Sequence, residues 1–309
     1  MGGLPPHIVG MFEEPASFQQ AANGLYYVFY RRAHSVWTID PARTMARKAV
    51  EIGTEQGRIL QPYGFDMARD GTFVVADVPL RSDRIQLFDA TGGWKTGFFI
   101  TTSPVARITI GNAVLSGVGS IRHTGGSLLV SYPETGALFN EYSFAGATTR
   151  SIGRLRQTGY EQERDLHVAM NAGIALVDPT GGYFFVFIAG RPMFRKYDAA
   201  GALVFERHVE GREIDELLAN QPTQWPRRVV ADREMPIVTP VVRAAAVDAS
   251  GQLWLSLMVP YTYVYDRHGD KARTVQFSAA GIISPTSLSF APNGRLLVTP
   301  GCYEFNPAS

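Results

Sequence analysis

A glycine turn followed at once by an apolar run recurs six times in this chain. Such a periodicity leaves few folds open. The turn glycines are Gly24, Gly71, Gly125, Gly181, Gly251 and Gly294, spaced by 47, 54, 56, 70 and 43 residues. The runs after them include Tyr26-Tyr27-Val28-Phe29, Phe73-Val74-Val75-Ala76, Leu128-Leu129-Val130, Phe184-Phe185-Val186, Leu253-Trp254-Leu255 and Leu296-Leu297-Val298. Glycine tolerates the positive φ that tight hairpin turns require, so each copy reads as two strands joined by a turn. A second turn family closes each unit on an apolar residue and a short polar one, as in Phe88-Asp89, Tyr197-Asp198 and Tyr265-Asp266. Four of these run on to Gly92, Gly146, Gly201 and Gly269, three residues after the polar one.

Each unit also has room for a strand before its first turn (residues 65–68, 244–247 and 287–290) and one after its last (residues 46–52, 203–208 and 272–277). Four short antiparallel strands repeated at about 50 residues describe a β-propeller blade. The expectation is an all-β, six-bladed propeller spanning residues 1–309 as a single domain. The sixth copy stops at Phe305-Asn306-Pro307, short of its fourth strand. Ile8-Val9-Gly10-Met11-Phe12 is expected to supply that strand and close the ring, which removes exposed sheet edges.

The copies resemble the NHL-type repeat of six-bladed propellers, most clearly in Asp70-Gly71-Thr72-Phe73-Val74-Val75-Ala76-Asp77 with Ile85-Gln86-Leu87-Phe88-Asp89. The resemblance implies the fold and little about function, because that architecture hosts lyases, lactonases, receptors and scaffolds alike. The 70-residue gap holds an insertion at about 211–240. A short helix is expected at Glu213-Ile214-Asp215-Glu216-Leu217-Leu218. An ordered loop around Pro222, Trp225 and Pro226 follows, as a lid or a functional element.

A formal charge of +1 offers no general attraction to nucleic acid or to an anionic membrane. Arginine outnumbers lysine 25 to 4, so a single arginine carries little weight as evidence. No apolar run approaches the length of a membrane span, and membrane insertion is not expected. Cys302 is the only cysteine, so no internal disulfide can form and the redox compartment is undetermined. The opening MGGLPPHIVGMF lacks the basic start and apolar core of a signal peptide. Localisation stays open, an extracytoplasmic protein with its leader removed included. A monomer is expected.

In a propeller the loops before the first strand and between the second and third strands share one face, the usual ligand face. On it stand Arg31, Arg32 and His34, Tyr63, Arg84, Arg191, Arg243 and Tyr261, joined by Trp225, Arg227 and Arg228 of the insertion. Tyr261, Tyr263 and Tyr265 alternate along one strand, where packing between blades is the plainer reading. Arginine forks with aromatic faces suit carboxylates, phosphates or sugars.

His34, His167 and His208 can approach this face, but no pair has HxH or HExxH spacing, and no G-x-S-x-G or phosphate loop occurs. Counting seven and five residues back from each turn glycine puts Gly64 and Asp66, Ala244 and Ala246, Ser287 and Ser289, Ser17 and Gln19, and Val118 and Ser120 toward the axis. Phe65, Met67, Leu288 and Phe290 then lie between blades.

The chain also resembles gluconolactonase-like propellers. That resemblance implies a metal held by a glutamate before the first blade, with an asparagine and an aspartate at later inner strands. Glu14 and Asn171 stand near the first two places, and Asp66 is a further carboxylate. Arg243 stands at the third, where a permanent cation cannot serve as a ligand. The preferred reading is therefore non-catalytic binding of a small anionic or polar ligand, or of a protein partner, with no metal or cofactor. The alternative is a metal-assisted hydrolase or lyase at the top of the channel.

Overall fold

A computed structural model describes residues 2–100, 118–230 and 232–307, the side chains of 81 and 279 apart, and the backbone of Thr109–Ile110 and Ala113–Val114. Six four-stranded antiparallel sheets form the ring of a propeller. Blade 1 comprises Ser17–Gln20, Tyr26–Tyr30, Ser35–Ile39 and Ala46–Val50. Blade 2 comprises Gly64–Met67, Phe73–Asp77, Arg84–Phe88 and Trp94–Phe99. Blade 3 runs Ser120–His123, Leu128–Ser131, Ala137–Tyr142 and Thr148–Arg154. Blade 4 runs Gly173–Val177, Tyr183–Phe187, Met193–Tyr197 and Leu203–His208. Val242–Val247, Leu253–Leu257, Thr262–Tyr265 and Lys271–Val275 make blade 5. Blade 6 takes Ser287–Phe290, Leu296–Thr299 and Tyr303–Phe305 from the end of the chain and Gly2–Gly3 from its start.

The turns form for the reason their residues suggest. Ala68 N donates to Thr72 O at 2.8 Å across the first turn of blade 2, with Gly71 at φ +91°. In the second turn one carboxylate does the work: Asp89 Oδ1 accepts from the backbone N–H of Thr91 at 2.8 Å and of Gly93 at 2.9 Å. At Gly92, φ is +92° and an added Cβ would lie 2.2 Å from the carbonyl oxygen of Ala49, so only glycine fits.

Packing lies between the blades. Six apolar clusters fill the six joints, the one between blades 1 and 2 holding Tyr27, Phe29, Phe65, Phe73 and Phe88. Phe29 stacks on Phe65 at 5.4 Å between ring centroids. Near the axis, single hydrogen bonds tie neighbouring blades: Ser289 Oγ to Phe18 O at 2.7 Å, Ala175 N to Ser120 Oγ at 3.0 Å, and Ser256 Oγ to Pro285 O at 2.9 Å.

Closure by the N-terminus holds, but through other residues than expected. Gly2 pairs with Glu304 and Gly3 with Tyr303. Residues 8–12 are not a strand: Pro6–Val9 is a helical turn, started by a proline whose fixed φ suits a first helical position. Ile8 and Phe12 are buried between blades 6 and 1. Buried Glu304 anchors the joint, accepting from Tyr26 Oη at 2.7 Å, Arg43 Nη2 at 2.8 Å and Arg295 Nη1 at 2.9 Å.

Burial pushes the Glu304 carboxyl up, but its three donors outweigh burial and hold it below the usual 4.5. A depressed carboxyl contributes stability that is present above the unfolded value and lost as pH falls through the folded one. Melting temperature is therefore expected to drop below about pH 4.5, and Glu304→Gln to shallow that drop. An unchanged acid limb in the variant would remove Glu304 from the account.

Two further differences have local causes. The insertion carries the expected helix, Arg212–Ala219, and the expected loop over residues 221–226, but a hairpin that was not expected follows, Arg227–Val230 with Arg233–Pro236. Prolines 226 and 236 sit at its margins, where a missing N–H is harmless. Val118 does not face the axis; it is fully buried between blades 2 and 3. The first turn of blade 3 is shorter, closing from Thr124 N to Ser127 O, with Gly125 directly after its first residue. Counting back from that glycine therefore lands two residues early, and the axis-facing pair is Ser120 and Arg122.

Candidate anion site at the channel mouth

The inner strands converge on a cavity of about 120 Å³ at the loop-face end of the axis. Small residues admit it: Ser17, Gly64, Gly119, Ser120, Ala244 and Ser287 all line it, as an axis ringed by six strands requires. Into this apolar and hydroxyl-bearing ring the fold brings three arginines, Arg31, Arg122 and Arg243. Arg31 comes from the loop between the second and third strands of blade 1, Arg243 from the start of blade 5 and Arg122 from the inner strand of blade 3.

The carboxylate that lies nearest Arg122 in the channel is already engaged. Asp66 accepts from Gln19 Nε2 at 3.2 Å and from the backbone N–H of His123 at 2.8 Å, and lies 3.8 Å from Arg122. It therefore ties blades 1, 2 and 3 together and compensates Arg122. Arg31 and Arg243 are half-buried, and neither guanidinium has a protein acceptor among the described residues. Burial, and next the neighbouring Arg32, push Arg31 below its ordinary pKa, with Glu14 opposing. A larger opening of about 600 Å³ lies at the far end of the axis among the first-turn residues. Gln19 lines both openings, so the Gln19–Asp66 contact lies between them.

The structure divides the residues that sequence reasoning grouped together. Arg243, Arg31 and Tyr63 meet at the mouth; the Tyr63 hydroxyl donates to Asp83 at 2.8 Å. Arg191 and Trp225 line a different pocket, beside blade 4. Arg84 is buried against Asp77 and is structural. Arg32 is an exposed surface arginine paired with Glu13 at 3.1 Å and Glu14 at 2.9 Å. Tyr261 packs against the core cluster between blades 4 and 5. His34 sits at φ +47° with Nδ1 buried and unpartnered; burial lowers its pKa while Asp77 pulls the other way.

The three residues named for a metal do not meet. Glu14 is on the surface with Arg32, and Asp66 is held in the channel. Asn171 is buried, bonded to Arg156 N at 2.8 Å and His167 O at 3.0 Å. Among the described residues no three His, Cys, Asp or Glu side chains gather as metal ligands. Sequence reasoning missed Arg122, which counting from the start of each turn would have found. It also missed Arg156, which lies in a link between blades where no repeat position marks it.

No protein-family model matches the chain, and no curated protein is detectably similar in sequence. Solved structures match throughout its length. The streptogramin B lyase structure has a TM-score of 0.56 at 10% identity, covering 94% of this chain and 95% of that one. Hydrazine synthase of Kuenenia stuttgartiensis has 0.53 at 10% identity, covering 94% of each. A protein of unknown function from Bacteroides caccae has 0.52 at 12% identity, covering 88% of this chain and 85% of that one. At these identities the likeness is one of fold.

Proposed function

We propose that this propeller is a non-catalytic binding module that takes a small anion, a carboxylate or phosphate group, at the channel mouth. The chain acts as one domain and a monomer, without metal or cofactor. One observation carries the reading: Arg31 and Arg243 line the same cavity, half-buried, with no protein acceptor among the described residues. Withdrawing an unpaired charge from water costs several kcal/mol, so two such cations favour a counter-charge between them. The cavity holds a few waters or one carboxylate or phosphate with a short body, not a large ligand. Tyr63, with its hydroxyl turned to Asp83, adds an aromatic wall. The likeness to the streptogramin B lyase structure is one of fold and brings no chemistry to this site.

The test is titration calorimetry of the full chain with inorganic phosphate, acetate and short dicarboxylates. Arg243→Ala is expected to weaken the tightest of these by roughly 10- to 150-fold, the equivalent of about 1.5–3 kcal/mol for a charge-assisted hydrogen bond. Arg47→Ala, which removes an equal charge from an exposed outer strand, should change it less than about twofold. Unchanged binding in Arg243→Ala, or no binding by any of these anions, would overturn the reading.

A further inference from the structure

A second, larger pocket of about 500 Å³ opens on the loop face beside blade 4 and shares no lining residue with the channel mouth. The third and fourth strands of blade 4 form its floor, and three further segments wall it: the link from blade 3 to blade 4, the loop before the third strand of blade 4, and the insertion. Arg156 comes from the link. Its guanidinium donates to the carbonyls of Met170 at 2.8 Å, Ala189 at 2.6 Å and Arg191 at 2.7 Å, and lies 4.4 Å from the Phe187 ring centroid. These bonds fix its position but do not neutralise it, because among the described residues no carboxylate bonds to it, and nearby Glu206 acts only across space. Glu206 lines the same pocket but is taken by Arg195, at 2.5 Å. Burial, and then the like charge of Arg195, push Arg156 down to about 10, which keeps it cationic at neutral pH. Arg191 adds an exposed guanidinium with no side-chain partner among the described residues.

The rest of the lining is flat and soft. Trp225 of the insertion, 9% exposed, and Tyr160 supply rings, and Met170 and Met193 supply sulfur. Gly190 makes the close approach possible. It sits at φ +64°, and a Cβ there would lie 2.9 Å from Met170 Sδ and 3.3 Å from Arg156 Nη2. Gln221 Nε2 donates to Gly190 O at 2.9 Å and clips the insertion onto the blade. Two cations that no described carboxylate bonds, beside two aromatic rings and two thioethers in a pocket of ordinary small-molecule size, have one matching ligand chemistry.

We propose that this pocket is a second binding site, for an aryl anion: a carboxylate or phosphate carried on a planar ring system. The anionic head meets Arg156 and Arg191, and the ring lies among Trp225, Tyr160 and the methionines. The site is independent of the channel mouth, which is too small for a ring-bearing ligand. The insertion is thereby assigned a role as its wall.

The experiment titrates the full chain with indole-3-acetate and with adenosine monophosphate, which separate an aromatic acid from a nucleotide source. Acetate and inorganic phosphate, titrated into Arg243→Ala so that the channel mouth does not contribute, serve as ringless controls. At least one aryl anion is expected to bind with Kd below about 1 mM. Arg191→Glu should weaken it by about tenfold or more, since charge-assisted bonds dominate such a head group. This variant carries the test because its side chain holds nothing else in the fold, whereas Arg156→Ala would also free three carbonyls. Trp225→Phe should weaken binding a few-fold and abolish the ligand-dependent change in tryptophan fluorescence. Arg243→Ala should leave binding unchanged, which separates this site from the one at the channel mouth. The proposal is overturned if neither aryl anion binds in that range or if Arg191→Glu binds as the parent does. It is overturned equally if the ringless anions bind as tightly in the Arg243→Ala background, where the channel mouth no longer contributes, or if Arg243→Ala abolishes binding of the aryl anion.

Discussion

Arg84→Ala is expected to lower the unfolding free energy by about 3–5 kcal/mol, the typical cost of removing one partner from a buried ion pair. Asp77 is fully buried, and Arg84 grips it with both arms of its fork, Nε to Oδ1 at 2.9 Å and Nη2 to Oδ2 at 2.6 Å. The remaining donors close the connection between blades 1 and 2, reaching Thr54 O at 2.6 Å and Arg58 O at 2.9 Å. Leu60 N also donates to Asp77 at 2.8 Å. Truncating the arginine strands a carboxylate where water cannot reach it and takes the donor from Thr54 O, while Arg58 O keeps its bond from Gln86 Nε2 at 2.7 Å. Arg32→Ala is the contrasting case. Its pairs with Glu13 and Glu14 are mostly exposed, with side-chain exposures of 55%, 75% and 71%, so removing them should shift stability by at most about 1 kcal/mol. Guanidinium chloride midpoints measure both. Asp77→Ala with Arg84→Ala should cost clearly less than the two single changes summed, because the stranded charge disappears. An Arg84→Ala protein with the parent's midpoint would mean that Asp77 finds another partner.

The same arginine shows what sequence can and cannot reveal. The repeat was legible because turn chemistry and strand alternation are local. Gly71 and Asp89 act within four residues of themselves; every copy repeats the glycine, and three others repeat the aspartate as Asp40, Asp198 and Asp266. The ring followed from that period, and so did the small side chains at the axis. Arg84 and Arg243 look alike in sequence: each is an arginine at the loop-face end of a strand. What separates them is whether a carboxylate stands opposite, as Asp77 does for Arg84 and as nothing described does for Arg243. That depends on partners in space, and Asp66 was spent on Gln19, His123 and Arg122, none of which a strand pattern announces. The closure itself was legible, but the pattern puts its strand on the wrong residues, for a related reason. Residues 8–12 are apolar because they are buried, and burial alone does not distinguish a strand from a helical turn packed on a joint. The two glycines that do pair carry no side chains and hence no pattern.

Removing residues 1–12 is expected to abolish cooperative folding near ambient temperature or leave an aggregating protein. The deletion takes away the Gly2–Gly3 strand, exposing the edge of Tyr303–Phe305. It also takes Leu4, Ile8 and Phe12 out of the joint between blades 6 and 1, where Phe12 meets Tyr30 at 5.9 Å and Trp37 at 5.8 Å. Three buried apolar side chains at roughly 1.5–3 kcal/mol each come to about 4–9 kcal/mol, comparable with the whole stability of a typical domain. Deleting residues 1–5 instead keeps Ile8 and Phe12 and loses the strand, the Leu4 contact and the bond from Arg43 Nη1 to Gly3 O. This shorter truncation should remain folded, with a lower melting temperature and more aggregation through the bared edge. The order of the two outcomes separates the roles of strand and plug. If the shorter deletion is as damaging as the longer, the two-residue strand alone closes the ring. If the longer one melts with the parent, the ring is held by its inner-strand hydrogen bonds and needs no closure at blade 6.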